Sequence, residues 1–414
     1  MTPGARVQAA IDILHEVLAG SQAADRALRS YFRQRRYAGS RDRAAVAELL
    51  FAVLREYAHA QWLAGRTPDA RTATLLHLQR AGEDVAALFS GEGHAPAAPD
   101  DDERSLLSAA RAQDETPPAW VAVNCPPWLY DRFAAALGGD TDAELMALNE
   151  RALVDLRVNL LKTNRERVLA VLAEDGIAAT PGTVADTAVR LAERVDLSRH
   201  RLILQGHVEV QDEGSQAIAA LCAPKPGEQV VDFCAGAGGK SLALAAAMGG
   251  KGQIYALDID NRRLGRLKPR LERARAHNIQ SRALAGDDDP WLASLTGRAD
   301  CVLVDAPCSG SGAWRRQPEA RWQLRAARLE ELVGLQERIL IRAAPLVKPG
   351  GRLIYATCSL LAEENETRIA AFLAAHPEFQ PLRDAPGAGS DGVLRLTPRR
   401  DGTDGFYAQA LVRT

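Results

Sequence analysis

The apolar positions along the chain change their period twice. Up to about residue 80 they recur at helical spacing: Val7, Ile11, Leu14 and Leu18 share one helix face, and Val46, Leu50, Val53 and Tyr57 share another. Ser40 stands just ahead of the second run and reads as its cap. From Ser90 to Pro118 the pattern dissolves into Gly, Pro, Ala and acid ("GEGHAPAAPDDDE"), which predicts a loop or insertion. Helical spacing returns from Trp128 to about Arg151. "LRVNLLK" (156–162) and "HVEVQD" (207–212) then read as strands, with a helix over "RERVLAVLAEDG" between them. From Gln229 onward short apolar strands ("QVVDFC", "QIYALD", "CVLVDAP", "RLIYATC") alternate with longer helices. That alternation predicts an α/β fold, a doubly wound parallel sheet whose ligands bind at the carboxyl ends of the strands. Those ends carry Asp232 to Cys234, Asp258, Asp305 to Cys308, and Cys358.

Composition adds boundaries rather than detail. A chain of 414 residues has room for two or three domains. It has no apolar run of about 18 residues, so no membrane span is expected. Its start, "MTPGARVQAAIDILHE", lacks the pattern of a secretory signal, which makes the cytoplasm the expected compartment. The six cysteines form no C-x-x-C pair and no cluster with histidine, so neither a metal site nor a disulfide framework is expected. Net charge is −2, but residues 26–43 hold seven arginines against one acid, and residues 262–282 hold eight basic residues against one. Such clusters suit a phosphate backbone, although one alone is equally consistent with a solvated helix face.

"VDFCAGAGGKSLALA" (231–245) is a strand, a glycine-rich turn and a helix start. Gly236, Gly238 and Gly239 allow close approach to a ligand at the positive end of a helix. The turn alone admits NAD, a nucleoside phosphate or S-adenosylmethionine, and its spacing is not that of a P-loop. Asp258, about twenty residues after the glycines, is placed to accept ribose hydroxyls, which narrows the ligand to an adenosine-type cofactor. Asp287, in "LAGDDDP", is a candidate for the adenine amino group. If the cofactor is S-adenosylmethionine, the two strand-end cysteines suit a demanding acceptor. Carbon 5 of a pyrimidine becomes nucleophilic only after a thiolate adds to carbon 6, and that route needs a cysteine, a partner for ring nitrogen 3 such as Asp305, and a proton acceptor. The chemistry does not choose between Cys308 and Cys358.

"DFCAGAGGK", "VDAPCSGSG" and "YATCS" resemble the RNA 5-methylcytosine methyltransferases of the Nop/Sun family. The resemblance implies that Cys358, in the Thr-Cys motif, is the nucleophile and that Cys308, in the Pro-Cys motif, assists product release. It implies a cofactor loop of Cys234, Ala235, Gly236, Ala237, Gly238, Gly239 and Lys240, completed by Asp258, Asp287 and Asp305, with Arg263 beside them. Lys240 is left between two roles, toward the cofactor carboxylate or toward the reacting base. The family loop usually reads Cys-Ala-Ala-Pro-Gly-Gly-Lys, from which Gly236 and Ala237 depart. Upstream, "LRVNLLKTNRERVLAVLAEDGI" resembles the family's RRM-like subdomain, and "SRDRAAVAELLFAVLREY" resembles a NusB-like RNA-binding domain. That layout is the RsmB-type one. It implies a helical NusB-like domain with linker over 1–148, an RRM-like α+β subdomain over 149–213, and a Rossmann-like methyltransferase core over 214–414. The implied partner is RNA, with 16S rRNA as substrate and no obligatory protein partner. Three alternatives stay open: the same chemistry on tRNA, a non-catalytic RNA-binding or ribosome assembly factor, and a small-molecule methyltransferase.

Overall fold

The computed structural model describes residues 1–20, 22–286 and 289–414, which fall into two compact units. The first comprises Met1–Glu150 together with Trp314–Arg325, and the second comprises Arg151–Ala313 and Ala326–Thr414.

In the first unit the helices Pro3–Leu18, Ala24–Arg33, Ser40–Arg55, Tyr57–Ala64 and Ala70–Arg80, the last of them buried on nearly every side, pack around a shared core that holds Ile13, Leu14, Leu50, Leu54 and Leu75. Each such side chain contributes about 1.5–3 kcal/mol. Ser40 is not a cap. It is the first helical residue, and Gly39 precedes it with no side-chain bond to the helix. Nor is 90–118 an unbroken loop, because Asp101–Arg111 forms a helix. The acids that read as a loop signal close its N-terminus: Asp100 and Glu103 make a reciprocal capping box, and further acids follow in the first turn, where the helix end is positive. Segment 314–325, which the strand–helix alternation assigns to the core, packs in the helical unit instead. Arg321, 1% exposed, donates to Asn124 O (2.7 Å) and Leu148 O (3.1 Å) and lies over the Trp314 ring. Trp322 Nε1 donates to Leu54 O (3.1 Å), and Glu319 accepts from Ala24 N (3.0 Å).

The second unit contains two sheets. The smaller has strands β1 (Asp155–Val158), β2 (Ala179–Pro181), β3 (Ala188–Leu191) and β4 (Val208–Val210), in the order β2-β3-β1-β4 with every pair antiparallel. The helix Arg165–Glu174 covers it, seating Val168 and Leu172 on Leu156, Val158 and Val189. β2 and β3, of three and four residues, carry too little alternation to be read from the sequence. The larger sheet has β5 (Gln229–Asp232), β6 (Gln253–Asp258), β7 (Ile279–Ala283), β8 (Ala299–Asp305), β9 (Val347–Thr357), β10 (Phe379–Pro381), β11 (Val393–Leu396) and β12 (Phe406–Arg413). Its parallel part runs β7-β6-β5-β8-β9, as the alternation predicts. β12 then adds antiparallel to β9, and β10 and β11 each pair with β12. Helix Gly239–Ala247 packs on one face and helix Ala326–Ala343 on the other. The chain moves outward from β5 through β6 to β7, then returns to place β8 on the other side of β5. The loops leaving β5 and β8 therefore diverge and open a crevice at the strands' carboxyl ends. No described helix is long and apolar enough to cross a membrane.

Candidate active site

The loop after β5 bends on Gly236 (φ +56°) and Gly238 (φ +77°). A Cβ on Gly238 would lie 2.2 Å from Leu267 Cδ1, so only glycine fits there. Gly238 is the N-cap of helix Gly239–Ala247 and no side chain caps that helix. Its first-turn N–H groups and positive end are thus available to a carboxylate or phosphate, the cradle that the acid end of an amino-acid cofactor requires. Ala235 N donates to Leu257 O (2.8 Å), which ties the loop to β6, and Cys234 is partly exposed beside it. At the end of β6 Asp258 is buried, accepting from Gly236 N (2.7 Å) and Asp260 N (2.8 Å). Arg263 Nη1 lies 3.8 Å from the same carboxylate, and the guanidinium extends over Gly236. Asp287 lies outside the described residues. Nearby Asp289 is turned into the protein, accepting from Ala285 N and Trp291 N, both 2.9 Å.

Two further groups sit behind the loop. Asp232 is 1% exposed and accepts from Ser241 Oγ (2.6 Å); burial is the main cause pushing its carboxyl up to about 7. Lys240 reaches Asp305 at the end of β8, Nζ to Oδ2 2.7 Å. Burial alone would lower its pKa, but Asp305, Cys358 and Asp232 outweigh that and hold it above the ordinary lysine value. Lys240 therefore belongs to the β8–β9 end of the crevice as well as to the cofactor loop.

The two cysteines meet. Cys308 Sγ and Cys358 Sγ are 3.4 Å apart, at the mouths of adjacent parallel strands. Their surroundings differ. The Cys358 side borders the Lys240 ammonium. Cys308 is held by a network that the sequence does not disclose: Glu364, fully buried, accepts from Ser309 N (2.8 Å), Ser309 Oγ (2.5 Å) and Gln336 Nε2 (2.9 Å). Gln336 also donates to Pro307 O (3.0 Å), so residues 307–309 are fixed on both sides of Cys308. The bond to Cys358, burial and the charge of Glu364 together push the Cys308 thiol well above its ordinary range. The Cys358 turn is braced in the same manner, with Ser311 Oγ 3.0 Å from Ser359 Oγ and Asn365 Nδ2 donating to Ser359 O (2.9 Å). In "AEENE" nothing distinguishes Glu364 from Glu363 and Glu366 except that it alone of the three acids is buried in the fold.

Two family models match the chain. The one described as 16S rRNA methyltransferase RsmB/F matches residues 219–412, and the one described as a ferredoxin-like domain of RsmF/B-like methyltransferases matches 125–198. Together they take in more than half of the chain. It belongs to the RsmB/F methyltransferase family. A curated relative, ribosomal RNA small subunit methyltransferase B from Pectobacterium carotovorum, is 36% identical over 293 residues. The alignment takes in 70% of this chain and 66% of that relative, a little under two thirds of its length. The crystal structure of PH0851 superposes with a TM-score of 0.79 at 28% identity, covering 100% of this chain and 99% of that one. A methyltransferase homolog protein from Pyrococcus horikoshii superposes at 0.62 with 27% identity, over 72% and 98%. For an RsmB/F protein the small sheet β1–β4 is then the ferredoxin-like subdomain, of which the family model reaches β1 to β3. The Rossmann-like core and the subdomain ahead of it are those that the resemblance to the Nop/Sun family implies.

Proposed function

We propose that the protein methylates ribosomal RNA, and specifically carbon 5 of a cytosine in 16S rRNA, through a covalent adduct between Cys358 and carbon 6. The observation that carries this reading is the pair of thiols 3.4 Å apart in unequal electrostatic settings. A thiolate is favoured beside an ammonium and disfavoured beside a carboxylate. Cys358 has Lys240 beside it, whereas Cys308 has Glu364. Its bond to Cys358, burial and Glu364 suit Cys308 to remain a thiol until the product departs, which leaves Cys358 as the group to attack. S-Adenosylmethionine, when bound, supplies an electrophilic methyl group. The residues of the loop from Cys234 to Lys240 would hold its amino-acid end at the uncapped helix, and Asp258 would accept from its ribose. Asp287 keeps the assignment to the adenine amino group, and Arg263 stands over the loop. In the reaction, Cys358 Sγ forms a bond to carbon 6 and carbon 5 gains carbanion character. After carbon 5 is methylated its proton passes to a base such as water. The electron pair of that C–H bond restores the carbon 5–carbon 6 double bond, and Cys358 leaves carbon 6 as a thiolate, with Cys308 assisting the release. Asp305, oriented by Lys240, would accept from ring nitrogen 3 once that nitrogen has gained a proton, and so stabilise the ring while it is saturated.

The RNA backbone has two basic surfaces to meet. Six of the seven arginines in 26–43 are exposed. In 262–282 Arg270 and Arg273 are taken up by Glu209, which leaves six basic residues exposed.

A denaturing gel with labelled 16S rRNA tests the division of labour. With cofactor present, Cys308→Ser should accumulate protein covalently linked to RNA, and Cys358→Ser should give neither adduct nor methylation. The reverse pattern would make Cys308 the nucleophile. A wild-type protein that binds RNA but never methylates it would make the chain an assembly factor.

A further inference from the structure

The ferredoxin-like subdomain does more than precede the core. Three residues of "RVNLLK" send side chains into the core's backbone. Arg157 on β1, 3% exposed, donates through Nη1 to Gly239 O in the cofactor loop and to Gln211 Oε1. Asn159 Nδ2 donates to Ala274 O (2.9 Å), and Lys162 Nζ donates to Arg273 O (3.1 Å). These two satisfy the last carbonyls of helix Leu267–Ala274, which would otherwise lack partners. The same helix presses Leu267 against Gly238 and sends Arg270 Nη1 to Ala237 O. Arg270 is in turn set by Glu209 on β4, Nη2 to Oε2 2.9 Å, and Arg273 holds the other oxygen of Glu209 at 2.6 Å. The contact is close enough that a Cβ on Gly206, just before β4, would lie 2.3 Å from Arg273 O.

Two consecutive stretches of the cofactor loop thus hang by their carbonyls on guanidinium groups. The loop itself has little stiffness: three of its four residues 236–239 are glycine and the fourth is alanine. A segment so free must lose conformational entropy when it closes on a ligand, unless something outside it has already fixed its shape. Arg157 remains charged at neutral pH, since burial lowers its pKa only to about 10. Charge-assisted bonds to carbonyls are the stronger kind.

We propose that the ferredoxin-like subdomain is a structural part of the cofactor site, with Arg157 and Arg270 as positioning residues that fix the carbonyls of Gly239 and Ala237 and so set the affinity for S-adenosylmethionine. The proposal rests on the assignment of that loop to the cofactor. Neither arginine touches the reacting atoms, so their loss should be felt in cofactor binding and not in chemistry.

The test is calorimetry with S-adenosylmethionine on the full chain, followed by steady-state kinetics. Arg157→Met and Arg270→Met should each weaken cofactor binding about tenfold, the scale of one charged hydrogen bond. Lysine at either position, which can still donate, should recover part of the loss. The KM for RNA and kcat at saturating cofactor should stay near wild type, and Arg262→Met, exposed on the same basic segment, should leave cofactor affinity unchanged. If Arg157→Met does not fold, the Arg270 pair decides, because that side chain is partly exposed. Wild-type cofactor affinity in the methionine variants would overturn the clamp, as would a parallel rise in the KM for RNA. A wild-type protein that does not bind S-adenosylmethionine would overturn the cofactor assignment beneath it.

Discussion

Replacing Asp232 with asparagine should reverse the order of stabilities across the neutral pH range. The carboxyl group is 1% exposed, has one oxygen on Ser241 Oγ at 2.6 Å, and leaves the other without a partner. Burial is the largest cause of its rise from 3.8 to about 7; Asp305 and Asp258 add to it, while Ser241 and Lys240 oppose it. The folded protein therefore keeps a proton that the unfolded chain releases between about pH 4 and 7. A folded state that binds more protons loses stability as pH rises. The loss begins near the unfolded pKa and is complete above about 7, and a gap of about three pH units corresponds to about 4 kcal/mol. Asparagine cannot ionise. Its Oδ1 keeps the Ser241 bond, and its Nδ2 is left without an acceptor at a cost of about 1–3 kcal/mol. The variant should be the less stable protein by that amount near pH 4. It should be the more stable by about 1–3 kcal/mol near pH 8, the two profiles crossing between about 4.5 and 6. Urea titrations across that range, followed by circular dichroism, measure the difference. A difference that stays constant with pH would show that Asp232 is ionised in the folded protein throughout, and would refute the reasoning.

Asp258→Asn keeps one acceptor where Gly236 N and Asp260 N now use two. Cofactor affinity should fall about 10- to 100-fold by calorimetry, and an unchanged value would place the ribose elsewhere. Glu364→Gln puts an amide donor where Ser309 N, Ser309 Oγ and Gln336 Nε2 all need an acceptor. The Cys308 turn should loosen, and protein with both cysteines intact should accumulate RNA adduct on a denaturing gel; normal turnover with no adduct would remove Glu364 from product release.

The sequence displayed the site in proportion to how local each part is. Asp232, Asp258, Asp305 and the two cysteines were legible because each ends an apolar run, and a parallel sheet brings such ends to one edge. What joins them was not. Glu364 and Gln336 stand 55 and 28 residues from the partners they hold, Ser309 and Glu364 respectively, and neither lies in a recognisable pattern. Arg157 was visible only as a polar residue inside a strand, and its target, Gly239 O, is 82 residues away. The strands β10 to β12 are equally hard to see in the sequence. β10 and β11 have three and four residues, and β12, buried along nearly all its length, shows no alternation to mark it.

The detour of Trp314–Arg325 into the helical unit bears on the order in which the molecule can be made. When the ribosome has released Glu150, every helix of that unit from its own stretch of chain has been synthesised. The carbonyls of Val17, Leu54, Asn124 and Leu148 nevertheless still lack the side chains of Gln323, Trp322 and Arg321 that they bond in the finished protein. At about 5–20 residues per second those partners arrive on the order of ten to thirty seconds later, after β5 to β8 have emerged. In the interval Leu54 O can still accept from Asn124 Nδ2 and Val17 O from Gly20 N, but the surface later covered by Trp322 stays open. The N-terminal unit thus stays incomplete until much of the second unit's chain has been made, and its final closure waits on a segment carried by the sheet's own sequence.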